Sequence, residues 1–199
     1  MQYVGSKGRL CKELIPIIQS YIKSDTKGYL EPMVGGANVI DKIVHPNRIG
    51  CDINEYLIEL LKYSQTNELP KTITEEEYIK VKNDKESYPK WYVGLVGFCG
   101  SFGAKFFGGF ARRYSTDGTL FDVPQQAINS LRKQNLKDIK FKTLSFMDLP
   151  KDTLKGYVIY CDIPYRDTTK YATETFPYDE FYKWCIELSK NNLGFLKML

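Results

Sequence analysis

Two short runs in this chain each end on a carboxylate: Arg48-Ile49-Gly50-Cys51-Asp52 and Gly156-Tyr157-Val158-Ile159-Tyr160-Cys161-Asp162. The last is the most informative. Its β-branched and aromatic residues predict a buried strand. Pro164 cannot donate to a ladder and keeps Ile163 out of the helical region, so the strand must stop there. Asp162, the Ile163 carbonyl and the Tyr165 ring then stand at its carboxyl end, the edge at which open α/β sheets bind ligands. Two acceptors beside a stacking face suit a planar ring that carries an amino group, such as adenine. The same residues could equally form a plain strand end, with Asp162 capping the next element.

The other acid follows a glycine turn. Glu31-Pro32-Met33-Val34-Gly35-Gly36 predicts a strand running into a glycine turn, followed by a helix over residues 37–43. Adjacent glycines let a ligand come close to the backbone. This is not the Gly-x-Gly-x-x-Gly dinucleotide fingerprint. Asp52 follows about 20 residues later, where an α/β nucleotide site places the acid that accepts two ribose hydroxyls. Asp52 or Asn54 could instead cap the helix that carries Leu57, Leu60, Leu61 and Tyr63. Lys7 precedes a helical pattern of Leu10, Leu14, Ile17, Ile18, Tyr21 and Ile22, which Pro16 should kink or break. The positive end of a helix disfavours a lysine. An anionic ligand group would account for Lys7, as would simple surface exposure.

Residues 67–135 differ in character. A helix is expected over 72–82 with Thr74 as its cap, and another over 127–134. Between them, residues 91–114 are dense in glycine and aromatic rings and carry Lys105, Arg112 and Arg113. Such a stretch suits a tight-turning module whose rings and cations touch bases and phosphates. Solvated cations over an ordinary core would look the same. The organisation that follows is an α/β core from 1–66 and 136–199 with 67–135 inserted. Residues 139–146 alternate as a half-exposed strand would. A last helix carries Phe181, Trp184, Cys185 and Leu188, and the tail resembles the start of a further strand.

Bulk composition excludes little but is consistent. The 199 residues are 43% hydrophobic and 26% charged. No run approaches the roughly 20 apolar residues of a membrane span. The first residues lack the apolar stretch of a signal peptide, so a cytoplasmic protein is expected. Five scattered cysteines with no Cys-x-x-Cys pair fit reduced, buried thiols, and no metal site is expected. The single histidine, His45, is expected at the surface. A net charge of +4 permits a polyanionic partner without demanding one.

Four segments occur in a fixed order: Tyr3-Val4-Gly5-Ser6-Lys7, the Glu31–Gly36 turn, Cys51-Asp52-Ile53-Asn54 and Cys161-Asp162-Ile163-Pro164-Tyr165. Together they resemble the Dam-type (class D12, α-group) DNA adenine-N6 methyltransferases. Residues 97–112 look like the insert of phage-borne members. The resemblance implies a Rossmann-like, S-adenosylmethionine-dependent methyltransferase sheet with an inserted, mostly helical target-recognition subdomain, acting on double-stranded DNA. It implies that Tyr3, Lys7, Glu31, Pro32, Gly35, Gly36 and Asp52 contact S-adenosylmethionine, and that Phe146 and Met147 flank its adenine. Asp162, with Ile163, Pro164 and Tyr165, would hold and methylate a flipped-out adenine, Asp162 also touching the cofactor. Lys105, Arg112 and Arg113 would contact DNA. No metal is called for, and a monomer is expected.

Two departures accompany the resemblance. Ile163 replaces the family's first proline, at a position that contributes its backbone carbonyl. The family also continues with further strands after the helix of Trp184. A truncated chain, or one completed by a complementing C-terminal fragment, is therefore expected, with C-terminal strands missing. Three readings result: an active DNA adenine methyltransferase, a shortened relative that binds cofactor or DNA without transfer, and a nicotinamide-dependent oxidoreductase. The last is disfavoured by the missing glycine fingerprint.

Overall fold

The computed structural model describes residues 1–163 and 176–190, and the backbone of 194–197. The first helix, α1 (Cys11–Tyr21), buries Cys11, Leu14 and Ile18. Leu10, Ile17 and Tyr21 of the expected stripe are exposed instead. Pro16 does not break this helix. It lies on the exposed side, where water can reach the carbonyl that its missing N–H would have met.

β1 (Gly28–Glu31) is buried along its length and pairs in parallel with β2 (Arg48–Asp52). The helix expected over 37–43 is absent. Ala37 takes a positive φ of 56°, outside the helical region, and only a 3-10 turn at Ile40–Lys42 follows. α2 (Glu55–Tyr63) starts on Asn54, whose side chain accepts the Leu57 N–H at 3.1 Å.

Between α2 and the next sheet strand lie α3 (Glu75–Asn83), α4 (Lys90–Cys99), a hairpin of β3 (Arg113–Tyr114) and β4 (Leu120–Phe121), and α5 (Val123–Arg132). None of these adds a strand to the large sheet. Thr74 and Glu77 form a reciprocal capping box at the start of α3, as the cap residue anticipated. The stretch expected to turn tightly begins instead as α4, with residues 93–99 all buried. Its glycines serve helix packing. A Cβ on Gly94 would stand 2.1 Å from the Tyr56 carbonyl oxygen of α2, and one on Gly97 would stand 2.4 Å from the Phe106 ring. Trp91 stacks on Tyr63 with ring centroids 3.7 Å apart. Several of these rings therefore belong to the core, whereas Phe102 and Tyr114 are exposed.

β5 (Ile139–Thr143), β6 (Tyr157–Cys161), α6 (Tyr178–Ser189) and β7 (Gly194–Lys197) complete the architecture. The large sheet runs β5-β2-β1-β6-β7, and every pair in it is parallel. This is the Rossmann-like arrangement that the motifs led one to expect. β5 stops at Thr143 rather than at residue 146. Phe146 opens a 3-10 turn and packs edge-on against Phe181 and Trp184 of α6. That burial pulls the chain out of the strand direction. Tyr29, Val158 and Tyr160 face a core shared with α1, α2 and α4, while Leu30, Ile159 and Cys161 face a second core under α6. The five cysteines form no disulfide and are buried. The chain moves outward from β1 to β2 and β5, then returns to lay β6 on the other flank of β1. At such a reversal the strand ends open a crevice.

Candidate active site

The carboxyl ends of β2, β1 and β6 are neighbours, so Asp52, Glu31 and Asp162 gather along one edge. Register sets their faces. Tyr29 pairs with Val158, so Glu31 lies level with Tyr160, and Asp162 follows two residues later on the same side.

Asp162 is ion-paired. Lys7 Nζ reaches its Oδ1 at 2.5 Å and also donates to the Gly5 carbonyl at 3.1 Å. The lysine is 7% exposed and the aspartate 23%. Burial raises the Asp162 pKa, and its hydrogen bond and attraction to Lys7 pull it back. The lysine thus reaches the edge of the sheet rather than open solvent.

Glu31 is buried and accepts the Tyr29 hydroxyl at 2.7 Å. Burial pushes its pKa well above the usual carboxylate range, and the nearby charge of Asp162 adds to the rise. Asp52 Oδ2 accepts the Gly35 N–H at 3.1 Å and its Oδ1 accepts the Asn54 N–H at 3.0 Å. Burial raises its pKa too, while these backbone donors oppose the rise. Each oxygen keeps a lone pair that a hydroxyl can use.

The glycine turn is lined by the chain itself. Gly35 has a φ of 49°, and a Cβ there would meet the Tyr3 ring at 3.0 Å. A Cβ on Gly36 would lie 2.8 Å from the Tyr3 Cβ. Tyr3 in turn leans on Phe98 of α4, with centroids 5.6 Å apart. Pro32 is buried where β1 ends. Asn38 and Gln134, which no motif singled out, tie this turn down. Asn38 Nδ2 donates to the Met1 carbonyl and to Ser6 Oγ, both at 2.8 Å, and Gln134 Nε2 donates to the Gly36 carbonyl at 2.9 Å. Nothing in their local sequence announces these bonds. Tyr29 was also unmarked, although its place two residues before Glu31 on one strand face was a usable signal.

Phe146 and Met147 part company: Phe146 is buried against α6, whereas Met147 is 55% exposed. Ile53, directly after Asp52, is 77% exposed and was not singled out. An apolar residue following the ribose-type acid was the available clue. Ile163 is buried in the second core, so its bulk is accommodated there. Pro164 and Tyr165 lie outside the described residues. Lys105 is exposed. Arg112 is held by Glu75, its Nε donating at 3.0 Å, and Arg113 stands over the Phe121 ring at 4.5 Å.

Such an edge has acceptors for a vicinal diol, an acid without a cation beside it, and a carboxylate paired with Lys7 at the crevice. These acceptors suit a nucleoside ligand bearing an ammonium group. Among the described residues no metal-ligating cluster occurs, and no helix is long and apolar enough to cross a membrane. A sequence model of the D12 class N6 adenine-specific DNA methyltransferases matches residues 3–184. No curated protein matches the chain.

Proposed function

Because this chain belongs to the D12 class N6 adenine-specific DNA methyltransferases, we propose that it moves the methyl group of S-adenosylmethionine to the N6 of an adenine turned out of double-stranded DNA. The observation that carries this reading is the row of Asp52, Glu31 and Asp162 on three adjacent strand ends. When bound, S-adenosylmethionine supplies an electrophilic methyl group on a sulfonium.

Asp52 takes the ribose hydroxyls on the lone pairs that its two backbone donors leave. Ile53 and Met147 offer exposed apolar surface to the cofactor's adenine, and buried Phe146 backs the turn that carries Met147. Tyr3, Pro32 and the Gly35-Gly36 turn enclose the methionyl part, with Glu31 beneath it. Lys7 keeps Asp162 ionised.

The target nitrogen is a weak nucleophile because its lone pair is delocalised into the ring. Asp162 accepts a hydrogen bond from one N6 hydrogen and the Ile163 carbonyl accepts one from the other; the proton that N6 gives up on methylation passes to solvent. That pair of bonds draws the nitrogen towards tetrahedral geometry and aims its lone pair at the methyl carbon. Pro164 is assigned to shaping this turn and Tyr165 to stacking on the extruded base. Stacking offsets part of the few kcal/mol that extrusion costs. Residues 67–135 are assigned to DNA recognition, with Lys105 and Arg113 as phosphate or groove contacts. Arg112 must leave Glu75 before it can serve.

Transfer of label from methyl-tritiated S-adenosylmethionine to adenine N6 in unmethylated DNA tests the reading. The wild type should transfer and Asp162→Ala should not. Transfer that survives this substitution removes Asp162 from its role. Cofactor binding by the wild type without any transfer would favour a non-methylating relative.

A further inference from the structure

The crevice side of the sheet holds more acid than base. Asp162 is satisfied by Lys7 at 2.5 Å. Asp41, on the 3-10 turn after β1, is satisfied by Lys42 at 2.8 Å. Asp52, at the end of β2, is satisfied by the N–H groups of Gly35 and Asn54, which offset its burial. Glu31 is the fourth acid. Among the described residues, no ammonium or guanidinium pairs with it, and its one neutral donor is the Tyr29 hydroxyl at 2.7 Å. The charges that bear on it are those of Asp162 and Asp41, which oppose ionisation, and of Lys42, which already holds Asp41.

The remaining titratable neighbours bring no cation either. Burial raises the pKa of the Tyr29 phenol, of the Cys161 thiol beside it and of the Cys11 thiol on α1, so all three stay neutral near pH 7. Tyr160, level with Glu31 on β6, is a phenol in the same core. A buried carboxylate without a cation takes up a proton rather than bear the cost of its charge.

We propose that loading of S-adenosylmethionine onto this protein expels one proton, lost from the Glu31 carboxyl group to solvent. The inference rests on the cofactor assignment made above. The methionyl ammonium is the cation that Glu31 lacks. A carboxylic acid and an ammonium become a carboxylate–ammonium pair plus one free proton, so atoms and charge balance. Because the free protein holds the extra proton, rising pH favours binding. Affinity increases by up to about tenfold per pH unit until Glu31 is ionised in the free protein as well. The ligand's own α-amino group begins to deprotonate near pH 8, so the slope is cleanest between about pH 5 and 7.

Calorimetric titration of the full chain with S-adenosylmethionine, in buffers of different ionisation enthalpy, reads the proton directly. The wild type should release about one proton per cofactor bound near pH 6.5, and Glu31→Gln about none. The glutamine still offers an oxygen to Tyr29. Methylthioadenosine, which keeps the nucleoside but lacks the ammonium, should release none from the wild type. Should Glu31→Gln fail to fold, Tyr29→Phe provides an independent measurement. Loss of the phenol leaves Glu31 protonated more firmly, so release should persist and the rising pH slope should extend further upward. Cofactor binding by the wild type without proton release would overturn the proposal and leave the methyltransferase reading intact. So would undiminished release from Glu31→Gln, or its disappearance in Tyr29→Phe. No binding of S-adenosylmethionine at any pH between about 5 and 8 would overturn the cofactor assignment itself.

Discussion

Replacing Lys7 by methionine removes an ammonium and keeps most of its aliphatic stem, which isolates the charge that faces Asp162. The ion pair spans 2.5 Å, and both partners are largely removed from water. Two unit charges about 4 Å apart attract by roughly 4 kcal/mol at the effective dielectric of a protein edge. Desolvation and side-chain ordering offset about half of that. A double-mutant cycle with Asp162→Asn, read by chemical denaturation near neutral pH, should therefore give a coupling energy of about 2 kcal/mol. Lys7→Met alone should cost about 3 kcal/mol, because it leaves a partly buried carboxylate unpaired. The same change acts on chemistry. Ionised Asp162 is the stronger acceptor for a hydrogen of the target amino group, and burial already raises its pKa while Lys7 lowers it. Without the lysine that pKa rises further, so the acid limb of the methyl-transfer pH profile should move to higher pH. A coupling energy under about 0.5 kcal/mol together with an unmoved acid limb would refute the claim that Lys7 governs the charge state of Asp162.

Asp52→Asn should weaken S-adenosylmethionine binding by roughly 30- to 100-fold, the worth of hydroxyl bonds to a charged acceptor, with an unchanged circular dichroism spectrum; titration calorimetry measures it. Gly94→Ala should destabilise the fold by about 3 kcal/mol, because the new Cβ would press on the Tyr56 carbonyl oxygen at 2.1 Å. The same substitution at an unpacked helix site stabilises by up to about 1 kcal/mol, so the sign of the shift in denaturation midpoint is decisive. Arg113→Ala should flatten the salt dependence of DNA binding by about one ion, whereas Glu75→Gln, which frees Arg112, should tighten binding at low salt.

Much of the site was legible because strand ends are local events. β6 ends at Cys161, just before Asp162; Asn54 and Thr74 cap the helices after them, and each effect acts within a few residues. Order and spacing of the four motifs were enough to point to the family. Misreadings arose where burial overrode local pattern. Gly94 and Gly97 resemble turn residues, yet they sit inside α4 because only a missing side chain lets that helix approach α2 and the Phe106 ring so closely. Phe146 continues the alternation of β5, yet it leaves the strand to reach the rings of α6. Residues 37–43 carry enough apolar side chains for a helix, but Ala37 takes a left-handed conformation at the end of the glycine turn.

Sequence by itself determined that the segments of β1, β2 and β6 become strands, that acids end β2 and β6, and which lysine is available to them. Tertiary structure alone decided who partners whom. The order β2-β1-β6 makes neighbours of Asp52, Glu31 and Asp162, and Lys7 finds Asp162 across 155 residues of chain. The counting that leaves Glu31 without a cation has the same origin. Charge state follows from burial and from distances of a few ångströms, and neither exists until the sheet is assembled.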